Sequence, residues 1–370
     1  MVGPVPPPSG GIAAVMHSIL VSRLSQEYAF DVFDKSDLSA PQVSGSGQRN
    51  FLRIRRWITF YLMLVRGDYA FAHMQGSVWA FKGVVVYMLI ARLANAKILL
   101  HLHGTDWKWF YGEASLIRRW ITKLGLRLPE KIVVLYDEWA EKIGQVVPAA
   151  QVVVIKNWLS PDLLPETHES QKTRIALNVD PDDFVVSTVG TVGWRKGTFE
   201  TLKAVPEVAK SIDAVRFVFA GSEESPGEWD EIMGMVQKNN LERWVRFLGE
   251  LDRESVLSLL STSQVFLLPS YAEGMPISII EAMKTGIAII STPVGGIPDM
   301  VEDGVSALLI PPGAPKDIAE AVLRLHSDPG LRSRLASAAM KAFAENFDAS
   351  KGVDQLDKIY SEMTAAKAFY

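Results

Sequence analysis

Short apolar, β-branched runs recur along the chain, separated by longer amphipathic stretches. FDVF (30–33), YAFAHM (69–74), AKILLHLHG (96–104), KIVVLY (131–136) and QVVVIKN (151–157) read as strands, with helical periodicity between them at 12–26, 51–66, 77–94 and 113–127. After a polar, proline-containing stretch, SPDLLPETHESQKT (160–173), the pattern restarts: DDFVVSTVG (182–190), VRFVFAG (215–221), VRFLG (245–249), QVFLLPS (264–270), GIAIIST (286–292) and ALLIPP (307–312). Strand–helix alternation of this kind predicts parallel sheets covered on both faces, so the fold class is α/β with two doubly wound domains. Only a few residues precede the first helix, too few for a complete first strand. Ligands of open parallel sheets sit beyond the carboxyl ends of the strands, and those positions are rich in Gly, His, Lys and Glu.

The 370 residues suffice for two domains with a core each. With 48% hydrophobic and 22% charged residues, a disordered chain is excluded. The absence of cysteine excludes disulfides, zinc–thiolate sites, iron–sulfur clusters and a cysteine nucleophile, and it suits the cytoplasm. Net charge is −4, but Arg49–Lys131 holds 14 basic and 4 acidic residues, which points to an anionic partner or surface. The best candidate span, Val78–Ala91, has only nine uncharged residues between Lys82 and Arg92, so no membrane-spanning helix is expected. MVGPVPPPSGG lacks a basic region and an apolar run and does not read as a signal peptide.

Four motifs carry candidate chemistry. In PPPSGGIAAVM (6–16), Gly10 and Gly11 open a helix whose free amides suit an anionic or sugar ligand, or they form a plain strand-to-helix turn. In HLHGTDW (101–107), His101 and His103 share one face of a strand end; with Asp106 they suggest a metal, but no further ligand cluster accompanies them, and a polar group for a sugar or proton is the better reading. VVSTVGTVGWRKGTFETLKAV (185–205) places Lys196 and Gly197 at a helix start, where a lysine can reach a phosphate; it matches neither the dinucleotide fingerprint nor the P-loop, and a structural turn with solvated basic residues is the alternative. In PSYAEGMPISIIEAMKTGIAIISTPVGGIPDMV (269–301), Glu273 falls in a loop and Glu281 in the first turn of a helix that Gly286 should end. Ser278 and Glu281 have capping-box spacing, which accounts for Glu281 but not for Glu273. Two further pieces, FLRIRRWITFYLMLVR (51–66) and SLIRRWITKLGLRL (115–128), have the composition of helices that lie on anionic lipid, or that pack on the sheet with their arginines solvated.

Taken together, these residues resemble the family 4 retaining glycosyltransferases. The strongest part of the resemblance is E-x7-E, here Glu273 to Glu281, inside EGMPISIIEAMKTGIAIISTPVGGIPDMVEDG, preceded by VRFLGELDRESVLSLLSTSQVFLLPSYAEG. It implies the GT-B fold: two facing Rossmann-like domains, an acceptor-binding one at 1–165 and a nucleotide-sugar-binding one at 166–345, with a C-terminal helix at 346–370 packing back on the first. By position, Glu273 would hold donor-sugar hydroxyls and Glu281 the ribose. Gly274, Met275 and Pro276 would lie along the sugar, the amides of Ser278, Ile279 and Ile280 near the diphosphate, and Gly249 to Leu251 near the base. Lys196 falls on the family's phosphate-binding lysine; the arginine of that motif is Thr191 here, with Arg195 as the residue that can substitute. His103 matches the histidine near the reacting sugar, and Gly10 and Gly11 match the glycine loop facing the diphosphate.

The implied reaction transfers a sugar from a UDP- or GDP-linked donor to an acceptor hydroxyl with retention. The leaving phosphate helps take the proton, and neither a cofactor nor a metal is needed because amides and basic side chains neutralise the diphosphate. GPVPPPSGGIA and HLHGTDW look like bacterial members that build exopolysaccharide or lipopolysaccharide on lipid-linked intermediates. The expected setting is therefore the cytoplasmic face of the membrane, with an anionic lipid surface and a glycan as partners and no nucleic acid. A nucleotide-sugar epimerase or an inactive nucleotide-sugar-binding protein is the alternative.

Overall fold

The structure, a computed structural model, describes residues 1–4, 11–35, 46–104, 107–160, 180 and 182–365. The chain divides into two units, residues 1–160 with 349–370, and residues 161–348.

The first unit is built on one all-parallel six-stranded sheet. Its strands are β1 (Val2–Gly3), β2 (Phe33–Asp34), β3 (Phe71–Ser77), β4 (Lys97–His103), β5 (Lys131–Val134) and β6 (Val152–Val154), in the order β2-β1-β3-β4-β5-β6. The opening residues form a first strand of two residues, in which Val2 pairs with Phe33 on one side and Met74 on the other. A Cβ on Gly3 would lie 2.7 Å from the Met16 sulfur and 2.9 Å from Gln75 Cγ, so a side chain there would make both neighbours shift. Helices α1 (Gly11–Leu20), α2 (Leu24–Glu27), α3 (Ser46–Arg66), α4 (Phe81–Leu93), α5 (Leu116–Arg127) and α6 (Asp137–Gly144) follow the strands. In β4 the run Ile98, Leu99, Leu100 and Leu102 is buried on both faces, as expected of a central parallel strand.

In the second unit the strands are β7 (Phe184–Val189), β8 (Val215–Ala220), β9 (Val245–Phe247), β10 (Val265–Leu268), β11 (Ala288–Ser291) and β12 (Leu308–Leu309), ordered β12-β11-β10-β7-β8-β9 and again parallel. Its helices are α7 (Thr198–Ser211), α8 (Glu228–Lys238), α9 (Arg253–Thr262), α10 (Ile277–Thr285), α11 (Pro315–Ser327) and α12 (Pro329–Asn346). The core joins Val186, Leu202, Val205, Phe217, Phe219, Leu267 and Ile290 with the inner faces of the helices. The order reverses between β7 and β10 here, and between β1 and β3 in the first unit; each reversal opens a crevice at the carboxyl edge.

The last helix, α13 (Ala349–Ala365), returns to the first unit. Gly352 lets it approach Trp158, since a Cβ would stand 2.3 Å from that ring. Arg23 pairs with Asp354 and Asp357, the Tyr28 hydroxyl donates to Asp357 at 2.8 Å, and the Tyr360 ring is buried against Tyr28, Phe30, Phe71 and His73.

Candidate functional site

In the second unit the site forms where β7 and β10 part. Beyond β7 the backbone turns through Gly190 (φ +139°) and Gly197 (φ +72°) before α7 begins. At Gly197 a Cβ would sit 2.2 Å from the Pro269 carbonyl oxygen, so only glycine lets this turn meet the end of β10. The turn carries Lys196 across Gly190, and its Nζ donates to Glu273 Oε1 at 2.6 Å; the Ser270 hydroxyl donates to the same oxygen at 2.6 Å. Lys196 is therefore buried in an ion pair, not solvated. Glu273 Oε2 has no hydrogen-bond partner among the described residues. The carboxylate is thus anchored through one oxygen and free to accept through the other.

Arg195 points into the same crevice. Its Nε donates to Glu224 Oε1 at 2.5 Å, Nη1 to the Ala272 carbonyl at 3.1 Å, and Nη2 to the Thr191 hydroxyl at 3.4 Å, with Nη1 3.7 Å from Glu273. A guanidinium thus stands over the position where the related motif has its arginine and this chain has Thr191. Trp194, 55% exposed, stacks on Tyr271 with ring centroids 4.5 Å apart.

Glu281 stands on the second turn of α10, not the first, and is buried. Pro276 is the N-cap and Ser278 makes no side-chain cap, so the capping-box reading fails. The Glu281 carboxylate instead pairs with Arg253 Nη1 at 2.8 Å across from the start of α9. Burial raises its pKa and Arg253 opposes that rise. The side chains of Met275, Ile279 and Ile280 are buried, so these positions offer a ligand only backbone. The Ile279 amide already donates to the Pro276 carbonyl at 3.1 Å, and the Ile277 and Ser278 amides have no partner among the described residues. Gly274 accepts from the Gly296 amide at 2.7 Å, and Gly295 is compelled by the Glu273 carbonyl, 1.7 Å from where its Cβ would be. Gly249 (φ +69°) accepts from the Gly221 amide at 2.7 Å, while Leu251 packs against Val185, Val218, Ala220 and Leu259.

The first unit presents a second group of candidates at its own strand ends. Gly11 begins α1; Gly10 and Asp106 lie outside the described residues. His103 ends β4, and its Nε2–H donates to Gln75 Oε1 at 2.7 Å. Gln75 Nε2 reaches His73 Nε2 at 3.3 Å, and His73 Nδ1 lies 2.6 Å from the Tyr360 hydroxyl. His101 stacks between His73 and His103, at centroid distances of 5.7 and 4.6 Å, and neither of its ring nitrogens has a hydrogen-bond partner among the described residues. Burial keeps all three imidazoles neutral, with His73 and His103 lowered to about 3 and His101 well below its usual value. Lys35, lowered to about 8 by burial, donates to the Gln75 carbonyl at 2.7 Å. Sequence reasoning missed Ser270, Glu224, Arg253, Gln75, Lys35 and Tyr360, because each acts through a partner remote in sequence or carries no motif of its own.

The family profile described as Glycosyl transferases group 1 matches residues 169–342. Among curated proteins, the chain is 25% identical over 326 residues to an alpha-D-kanosaminyltransferase of Streptomyces kanamyceticus, covering 85% of this chain and 80% of that one. It is 30% identical over 199 residues to a putative teichuronic acid biosynthesis glycosyltransferase of Bacillus subtilis, covering 54% of this chain and 47% of that one. Among solved structures it superposes on Anabaena HepE in complex with UDP-glucose, with a TM-score of 0.78, 20% identity and 98% of each chain covered. Sucrose-phosphate synthase of Thermosynechococcus elongatus gives a TM-score of 0.74 at 20% identity, covering 97% of this chain and 94% of that one. The fold is GT-B.

Proposed function

We propose, from the premise that this chain is a glycosyltransferase whose residues 169–342 match the group 1 family, that it moves a sugar from a UDP- or GDP-linked donor to a hydroxyl of a lipid-linked glycan with retention of configuration. The observation that carries this reading is the Glu273 carboxylate: one oxygen is held by Lys196 and Ser270 and the other is open, beside the first amides of α10. In this reading Oε2 accepts from donor-sugar hydroxyls, and Lys196, Arg195 and the amides of Ile277 and Ser278 face the diphosphate. Glu281 accepts from the ribose. The anomeric C–O bond to the diphosphate breaks, the acceptor oxygen bonds to the same face, and the acceptor proton passes to the departing phosphate; no side chain serves as nucleophile. These basic groups supply the charge neutralisation that a metal otherwise provides, so turnover is expected to survive a chelator.

Anomeric proton couplings in the product, read before mutarotation, test retention; an inverted product sinks that part. A thermal-shift panel of UDP, GDP, ADP and their sugar conjugates tests the donor site, since a ligand at 100 times its Kd adds about 2.7 kcal/mol. Loss of donor without any acceptor would instead mark an epimerase.

The membrane part of the reading is supported by the face of α3. Phe51, Ile54, Ile58, Leu62 and Val65 recur at helical spacing and are exposed, Phe51 at 64%, among exposed Arg53, Arg55 and Arg66. Such a stripe suits the headgroup region of anionic lipid. No helix among the described residues is long and apolar enough to cross a membrane. Flotation with anionic vesicles at low salt is expected to carry the protein, and failure to float overturns this part alone.

A further inference from the structure

Beside the carboxyl ends of β3 and β4, the first unit holds a cavity of about 260 Å³ to which the 115–128 segment contributes Arg118 and Thr122. Its position follows from the backbone: the Val78 amide donates to the His103 carbonyl at 3.1 Å, and the Trp79 amide is held by the Ser77 hydroxyl at 3.3 Å. The turn after β3 is thereby fastened to the residue that ends β4. Phe81 and Phe110, both buried and edge-to-face at 5.0 Å, line the cavity. Trp79 and Trp109 also line it, with ring centroids 4.0 Å apart, and Trp79 is 51% exposed. The Arg118 guanidinium lies over the Trp109 ring at 3.2 Å from its centroid, and exposed Lys82 stands on the same rim. Neither Arg118 nor Lys82 has an acidic partner among the described residues.

A half-exposed tryptophan, an arginine held over Trp109 and an exposed lysine with no acidic partner among the described residues together match one chemistry. An indole face takes the C–H face of a pyranose ring, and a guanidinium and an ammonium take a phosphate. The helix that supplies Arg118 also exposes Leu116, Ile117 and Trp120, an apolar run next to the charged rim. We propose that this cavity is an acceptor subsite for the phosphorylated saccharide head of a lipid-linked glycan. The ring stacks on Trp79, the phosphate lies between Arg118 and Lys82, and the hydrocarbon tail leaves along Leu116, Ile117 and Trp120. This rests on the glycosyl-transfer reading, because the bound saccharide presents the hydroxyl that is glycosylated.

Binding to the intact chain by calorimetry, with four probes, tests it: α-D-glucose 1-phosphate, glucose, inorganic phosphate, and decyl diphospho-α-D-glucose below its micelle concentration. Glucose 1-phosphate is expected to bind roughly tenfold more tightly than glucose or phosphate, and the decyl compound roughly tenfold more tightly again. Trp79→Ala and Arg118→Gln should each weaken both phosphorylated probes about tenfold, leaving the melting shift given by UDP as in the parent protein. Binding that ignores both substitutions, or no binding by either phosphorylated probe, overturns the subsite. Equal affinity with and without the decyl tail overturns the lipid source. If phosphorylated probes bind as expected but no sugar is transferred, the glycosyl-transfer reading fails and the subsite stands. If transfer proceeds with an acceptor KM that Trp79→Ala leaves unchanged, the subsite fails alone.

Discussion

Glu273 and Glu281 are both buried carboxylates, neutralised in different ways that lead to different consequences on mutation. Glu273 gives one oxygen to Lys196 and Ser270 and keeps the other for a ligand. Glu273→Gln retains the shape but loses the charge that pairs Lys196, so turnover should fall about 10²- to 10³-fold with little change in nucleotide affinity, as measured by kcat and UDP titration. Glu281 spends its charge on Arg253, which is about a quarter exposed. Glu281→Ala takes this carboxylate away from Arg253, at a cost of at most about 3 kcal/mol in stability, and should weaken nucleotide binding about tenfold. Wild-type turnover and nucleotide affinity in both variants would remove the two glutamates from the site. The E-x7-E spacing was legible because both residues lie in one local string. Ser270 lies in that string but carries no motif of its own, and Glu224 and Arg253 were not legible because each reaches the site from a different strand end or helix start.

At the scale of elements, β3, β4 and α13 together hold the column His73, His101 and His103. Folded, these imidazoles stay neutral; unfolded, they titrate near 6.5. Below pH 6.5 the unfolded chain therefore binds more protons than the folded one. The stability of the first unit is full above about pH 7 and falls on acidification, toward about 3 where His73 and His103 protonate in the fold as well. Each imidazole contributes about 1.4 kcal/mol per pH unit within that window. Urea denaturation at pH 7.5 and 5.5 should reveal the loss, and His101→Gln should reduce the proton uptake on unfolding by about one. A first unit equally stable at both pH values would mean that the column is already protonated in the fold.

For the whole molecule, the first unit is assembled from both ends of the chain. Stopping the chain after Asp348 removes Leu356, Tyr360 and Met363 from its core and the Tyr360 hydroxyl from His73. Calorimetry of the intact chain should give a transition that nucleotide raises, belonging to residues 161–348. The shortened chain should keep that response and lose, or shift downward by many degrees, the transition of the first unit. A shortened chain that melts like the intact one would show α13 to be dispensable.

The sequence by itself determined the fold class, the twofold repetition of the α/β pattern and the string from Glu273 to Gly286. These follow from hydrophobic periodicity and local spacing, which neighbouring residues carry among themselves. It also supplied Lys196 in its glycine turn, because Gly190 and Gly197 announce a backbone that other residues strain to adopt. Only the tertiary structure decided that Glu281 meets Arg253 and does not cap its own helix. Likewise, it alone placed Arg195 over Thr191 and extended the histidine pair through Gln75 and His73 to Tyr360, nearly 290 residues away. Such pairings depend on which strand ends and helices the sheet order brings side by side, and a parallel sheet joins strands far apart in the chain.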